Sequence, residues 1–120
     1  CWYAFRGKGG ARWIGDRKQS TVWEIRVSDD GDKTKHGTQK PLECMARPMR
    51  NHDADEIYEP FGGSGSTLVA AEILGRTCFA MELDPTYVDV IIQRWQNRTG
   101  QDACLATTGE TFQSLAAKAR

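Results

Sequence analysis

The sequence predicts an α/β fold with a parallel βαβ core. Three stretches carry that prediction. Residues 56–61, EIYEPF, read as a strand running into the glycine turn GGSG at 62–65. Residues 66–74 read as a helix, and TCFAMEL at 77–83 as a second strand. Strand, tight turn, helix and strand in that order make a βαβ unit with parallel strands. Such strands are expected to be buried on both faces, with a ligand site beyond their carboxyl ends.

The other elements follow in chain order. Residues 1–6 and 21–27 (TVWEIRV) are rich in aromatic and β-branched side chains, which suits strands. Between them lies a basic, glycine-rich connection, GKGGARWIGDRKQS. Residues 28–37, SDDGDKTKHG, read as an exposed loop. In PLECMARPMRNH, Leu42, Met45, Ala46 and Met49 recur at helical spacing, and Pro41 suits a first helical position. Pro48 predicts a kink or an early end there. In the helix after the glycine turn, Leu68, Ala71 and Leu74 share a side and Gly75 lies near the end. Asp84 is a cap and Pro85 a first position for the next helix. Val88, Ile91, Ile92 and Trp95 form its apolar stripe, and Gly100 its stop. The tail from 101 offers a small turn at TTGE and a final amphipathic piece.

Composition narrows the class. With 120 residues, 39% hydrophobic and 27% charged, one soluble domain is expected. No apolar run reaches membrane-spanning length, so no membrane partner is expected. Formal net charge is zero, but residues 1–50 carry a balance of +5 and residues 51–120 one of −5. That asymmetry suits a nucleic-acid-facing half, or equally an unevenly charged solvated surface. Cys1, Cys44, Cys78 and Cys104 form no Cys-x-x-Cys pair, and His36 and His52 stand far apart. No metal site is expected, and reduced cysteines in a cytoplasm are the default.

The glycines ask for a reason. At Gly63 and Gly65 the missing Cβ permits positive φ and close approach of a ligand to the backbone. The following helix start offers N–H groups and a positive dipole end. Glu82, at the end of the second strand, is placed to accept both ribose hydroxyls of a nucleoside. The alternative is a tight strand–helix turn with an incidental carboxylate. No Lys follows the glycines, so a phosphate-cradling P-loop is excluded. Leu68 stands where the third glycine of a dinucleotide fingerprint belongs, which disfavours a nicotinamide-dependent oxidoreductase.

With these residues in place, the chain resembles the amino-methylating DNA methyltransferases, which modify adenine N6 or cytosine N4. EPFGGSGST resembles their Asp-Pro-Phe-x-Gly-Ser-Gly-Thr-Thr motif. HGTQKP at 36–41 resembles their His-x-Thr-Gln-Lys-Pro motif, and it lies upstream, as in the β class. AMELDPTYVDVIIQRW resembles the acidic second motif and its helix. DRKQSTVWEI resembles a segment before Thr-Gln-Lys-Pro, especially in phage and prophage members. The resemblance implies a partial Rossmann-like S-adenosylmethionine-dependent methyltransferase fold. Residues 1–100 would be the C-terminal portion of the methylase domain and 101–120 a tail. It also implies an S-adenosylmethionine pocket. Phe61, Gly62, Gly63, Ser64 and Gly65 would line it. Glu82 would hold the ribose, with Asp84 and Pro85 near the adenine edge. Thr38, Gln39 and Lys40 would reach the methionine end, and Ser66 and Thr67 would supply hydroxyls. Glu59 stands where the family has Asp, Ser66 where Thr is common, and Gly37 where Pro, Ser or Asn is usual.

The family's catalytic motif, Asp/Asn/Ser-Pro-Pro-aromatic, has no counterpart, since the sequence contains no Pro-Pro pair. In the β class it lies upstream of the region present, so the chain reads as a trailing piece. No residue is assigned as catalytic, and no methyl transfer is expected from this chain alone. Double-stranded DNA is the implied substrate, with Lys8, Arg12, Arg17 and Lys18 as candidate phosphate contacts. A missing N-terminal part or a dimer partner would complete the site. The alternative is a non-catalytic module that binds S-adenosylmethionine or DNA.

Overall fold

A computed structural model describes Ala4, Arg6, residues 12–26 and residues 39–119. Most of the strand expected at 1–6, the loop at 28–37, Lys8 and Thr38 lie outside the described residues. Within them the order is α1 (Leu42–Arg50), β1 (Glu56–Glu59), α2 (Ser66–Ile73), β2 (Thr77–Ala80), α3 (Pro85–Thr99) and α4 (Phe112–Lys118). β1 and β2 pair in parallel, with Ile57 opposite Cys78 and Tyr58 opposite Phe79.

The register sorts the side chains of the sheet. Ile57 and Cys78 face the helices and pack against a core of Ala46 and Met49 from α1 and Ala70 and Ala71 from α2. The two alanines are 0% exposed, so the backbones of α1 and α2 come close. α2 buries Ser66, Thr67, Val69, Ala70 and Ala71, a wider arc than the stripe read from Leu68, Ala71 and Leu74. It touches α1, the strands and α3, so it is enclosed on most sides. The opposite face of the sheet differs from expectation. Tyr58 is 67% and Phe79 54% exposed, so the strands are covered on one face only by the described residues.

Local signals set the helix ends. The Asp84 carboxylate accepts the Thr86 N–H at 2.8 Å, Pro85 occupies the first turn, and Gly100 closes α3 in the left-handed region. Three readings are corrected. Pro48 sits inside α1, which runs on to Arg50. It removes one intrahelical bond, that of its missing N–H to the Cys44 carbonyl, and α1 ends two residues later. Pro41 is the cap of α1, one residue before the helix. Residues 21–26 form no strand. β-propensity reflects packing on a sheet, and no ladder partner lies beside them among the described residues.

The segment before α1 is held by the end of that helix. Ile14 donates its N–H to the Asn51 carbonyl at 2.9 Å, and the Asp53 N–H reaches the Arg12 carbonyl at 2.9 Å. The side-chain amides of Gln19 and Asn51 exchange two hydrogen bonds of 2.8 Å. At the other end, the tail returns to α3 through the Ala103 N–H and the Gln96 side-chain oxygen, 2.9 Å apart. Thr111 caps α4 beyond the turn at Gly109.

Candidate functional site

The site forms where both strands end. Pro60 stops β1, and the Glu59 carboxylate turns back to accept the Phe61 N–H at 2.9 Å through Oε1. Its Oε2 accepts the Thr67 hydroxyl at 2.7 Å, which pins the start of α2 to the end of β1. The loop then lies on its neighbour: the Gly62 N–H donates to the Met81 carbonyl at 2.7 Å, and the Gly65 N–H closes a turn on the Gly62 carbonyl at 2.8 Å. Gly65 has φ +82°, and a Cβ there would stand 3.1 Å from Ile91 Cγ1. A Cβ on Gly62 would meet Ile91 Cδ1 at 3.0 Å and the Met81 carbonyl at 3.1 Å. These two glycines therefore serve the packing of α3 under the loop, where the sequence suggested approach of a ligand at Gly65.

Glu82 closes the arrangement. Its Oε2 accepts the Gly63 N–H at 2.6 Å and its Oε1 the Asp84 N–H at 2.9 Å. Bonding from the Asp84 and then the Gly63 N–H holds this carboxyl below the usual carboxylate range, so it is ionised at neutral pH. Each oxygen keeps a lone pair for a further donor. The loop amides of Phe61, Gly62, Gly63 and Gly65 are all engaged within the protein. That arrangement is poor for a phosphate, which needs amides pointing outward. It suits a ligand read by a carboxylate and by apolar contact.

A cleft of about 240 Å³ opens beside the loop, lined by Lys40, Met45, Glu59, Phe61, Gly62, Gly63, Ser64, Ser66 and Thr67. Lys40 and Glu59 put one charge of each sign at it, and Phe61 is exposed there. Of the residues read from the sequence, Gln39, Gly65, Asp84 and Pro85 stand outside this lining, and Glu82 joins it through Gly63. Ser66 and Thr67 are buried, and their hydroxyls are used internally, Ser66 donating to the Lys40 carbonyl at 2.8 Å. Two residues went unread. Met45 lines the cleft from α1. Arg94 is 4% exposed and donates to the Ser64 carbonyl at 2.5 Å. Its signal was a charge three residues past Ile91, on the buried side of α3.

The basic segment lies apart. Arg12 pairs with Asp53 at 2.8 Å, both exposed, while Arg17 and Lys18 stand exposed beside Asp16. Among the described residues no cluster of His, Cys, Asp and Glu suits a metal ion, and no helix is long and apolar enough to cross a membrane.

Known proteins share this plan. Residues 10–94 match the family model described as DNA methylase. The chain is similar to the type II methyltransferase M2.MboI of Moraxella bovis, 32% identical over 89 residues, covering 71% of this chain and 33% of that protein. It is similar to M.HinfI of Haemophilus influenzae, 28% identical over 88 residues, covering 66% of this chain and 24% of the other. The crystal structure of an M1.HpyAVI–SAM complex superposes with a TM-score of 0.61 at 24% identity, over 72% of this chain and 44% of that one, and shows the shared fold. The chain thus spans a third or less of the length of these curated relatives. With the matched region running from the basic segment through the glycine loop to α3, the chain belongs to the DNA methylase family of N6/N4 amino-methyltransferases.

Proposed function

We propose that this chain is the S-adenosylmethionine-binding portion of a site-specific DNA methyltransferase that methylates the exocyclic amino group of adenine or cytosine. One observation carries the reading: an ionised Glu82 stands against the Gly63 backbone at the carboxyl ends of two parallel strands. The donor set fits the cofactor. Glu82 has lone pairs for the ribose hydroxyls, Phe61 offers an apolar surface, and Lys40 offers a cation for the methionine carboxylate. Thr38 and Gln39 belong to the same motif as Lys40, and Asp84 and Pro85 adjoin Glu82. When bound, S-adenosylmethionine supplies an electrophilic methyl group. The chain's own part is to orient that group and to keep Glu82 ionised. The target base would be turned out of the duplex to reach it, with positioning supplying much of the rate.

Calorimetry with S-adenosylhomocysteine tests the reading. The expected outcome is saturable binding that is lost in Glu82→Ala, with no binding of NAD. Binding of NAD alone would return the oxidoreductase reading. Transfer of a methyl group to DNA is expected only when a polypeptide carrying a Pro-Pro motif is added, in cis or in trans. Turnover by the chain alone would overturn that division of labour, and binding without turnover in any pairing would favour a non-catalytic module. The compartment proposed for it is the cytoplasm, of a bacterium or of a phage-infected host.

Double-stranded DNA is the proposed substrate, approached by Arg12, Arg17 and Lys18, together with Lys8. Neutralising all four is expected to weaken binding and to flatten its dependence on salt, because fewer counterions are released. An unchanged salt slope would remove this segment from the DNA interface.

A further inference from the structure

We infer that Arg94 is the positioning residue of the cofactor cleft: its buried guanidinium sets the glycine loop and, through the Ser66 hydroxyl, the backbone of Lys40. The inference rests on reading the cleft as the S-adenosylmethionine site. It starts from burial. A guanidinium that is almost wholly enclosed is costly, and proteins rarely keep one without using it. Arg94 is 4% exposed and points from α3 into the underside of the loop. Its Nη1 donates to the Ser64 carbonyl at 2.5 Å and lies 3.4 Å from Ser64 Oγ and 3.5 Å from Ser66 Oγ.

The direction of the bonds gives the device its reach. A serine hydroxyl has one proton to donate. Ser66 spends it on the Lys40 carbonyl at 2.8 Å, so toward Arg94 it acts as acceptor. The order is therefore guanidinium, Ser66 hydroxyl, Lys40 carbonyl. Three segments far apart in the sequence are tied at a single point: the end of Lys40's motif, the glycine loop and α3. Both serines are buried, so water does not compete for these bonds. A bond from a charged donor to the Ser64 carbonyl is stronger than a neutral one and holds the loop in one conformation. Lys40 then reaches the cleft from a fixed backbone.

The test uses the 120-residue chain with Arg94→Met, Arg94→Lys and Ser66→Ala. Two readouts are taken: amide hydrogen exchange without ligand, and S-adenosylhomocysteine affinity. In Arg94→Met, exchange is expected to quicken at Gly65 and Val69, whose N–H groups are bonded in the loop and at the start of α2, and at Cys44, bonded to the Pro41 carbonyl beside Lys40, with Ala46 and Met49 unchanged. In Ser66→Ala it is expected to quicken at Cys44 more than at the loop. Affinity is expected to fall about tenfold in Arg94→Met and about threefold in Ser66→Ala. Arg94→Lys keeps the charge and one donor, and is expected to recover part of the loss. Uniform quickening at every amide, with unchanged affinity of the folded chain, would make Arg94 a purely structural residue and overturn the inference. If the unaltered chain binds no S-adenosylhomocysteine, the cofactor assignment fails, and the exchange pattern still decides the role of Arg94. Should Arg94→Met fail to fold, Arg94→Lys and Ser66→Ala carry the test, and equal exchange in both and in the parent would overturn it.

Discussion

The carboxylate of Glu82 accepts the backbone N–H of Gly63 at 2.6 Å, across the gap between the loops that follow β1 and β2. This bond joins the two halves of the site, and it depends on ionisation. The folded value of Glu82 is lowered by the Asp84 and Gly63 N–H groups from an ordinary value of 4.5. A lowered carboxylate adds stability above its unfolded value and loses it as pH falls through the folded one. The urea midpoint is therefore expected to drop below about pH 4.5. Glu82→Gln keeps one acceptor and removes the charge, and is expected to flatten its share of that decline. An identical pH profile in the variant would show that the bond does not contribute.

Glu59 and Thr67 make a second link, at 2.7 Å, between β1 and the first turn of α2. Thr67→Val removes the hydroxyl that donates to Glu59 Oε2 and leaves a half-buried carboxylate oxygen underused. The expected cost is about 1.5–3 kcal/mol, the range for bonds to charged groups. Glu59→Gln is milder, because the Thr67 hydroxyl can rotate to accept from the new amide while Phe61 keeps its oxygen. Denaturant unfolding of both variants checks the order, and a larger loss in Glu59→Gln would contradict it.

What the sequence disclosed, and what it hid, divides along the range of the interactions. The βαβ unit, the Asp84 cap, Pro85 in the first turn and the Gly100 stop depend on residues a few positions apart, so spacing and residue type revealed them. That Gly63 and Glu82 stand at neighbouring strand ends was legible, because parallel strands bring those ends together, but the bond between them was not. Arg94 was not read, because which face of α3 lies under the loop is decided by Ile91 packing on Gly62 and Gly65. The inward-facing hydroxyls of Ser66 and Thr67 were missed for a related reason. A helix start usually exposes such groups, and here α2 is enclosed by its neighbours. TVWEIRV has the composition of a strand, yet residues 21–26 stay irregular, since composition does not supply a ladder partner.

Gly65 and Gly75 separate backbone strain from crowding. Both have positive φ, +82° and +66°, but a Cβ at Gly75 meets nothing within 4 Å. Gly75→Ala is expected to cost about 1–2 kcal/mol, the penalty for a left-handed L-residue. Gly65→Ala adds contact with Ile91 on two carbons and is expected to cost more, with loss of ligand binding. Pairing Gly65→Ala with Ile91→Ala is expected to return part of the difference. Equal losses at the two glycines would mean that α3 yields easily beneath the loop.

Asn51 holds the basic segment in place, and the expected consequence of removing it is local. Its side chain is 5% exposed, exchanges two bonds of 2.8 Å with Gln19, and lies so near Gly15 that a Cβ there would overlap it. Asn51→Ala leaves the Gln19 amide without those bonds, at a cost of about 1–3 kcal/mol. Asn51→Asp keeps an acceptor for the Gln19 amide but brings an unpaired oxygen to the other side, so it is expected to rescue only half of the pair. The readout is limited trypsin digestion, because Arg17 and Lys18 sit within the clamped segment. Cleavage there is expected to quicken in Asn51→Ala well before cleavage at Arg94, which lies in the packed helix α3. If both sites quicken together, Asn51 supports the whole fold, and the segment has no hold of its own on α1.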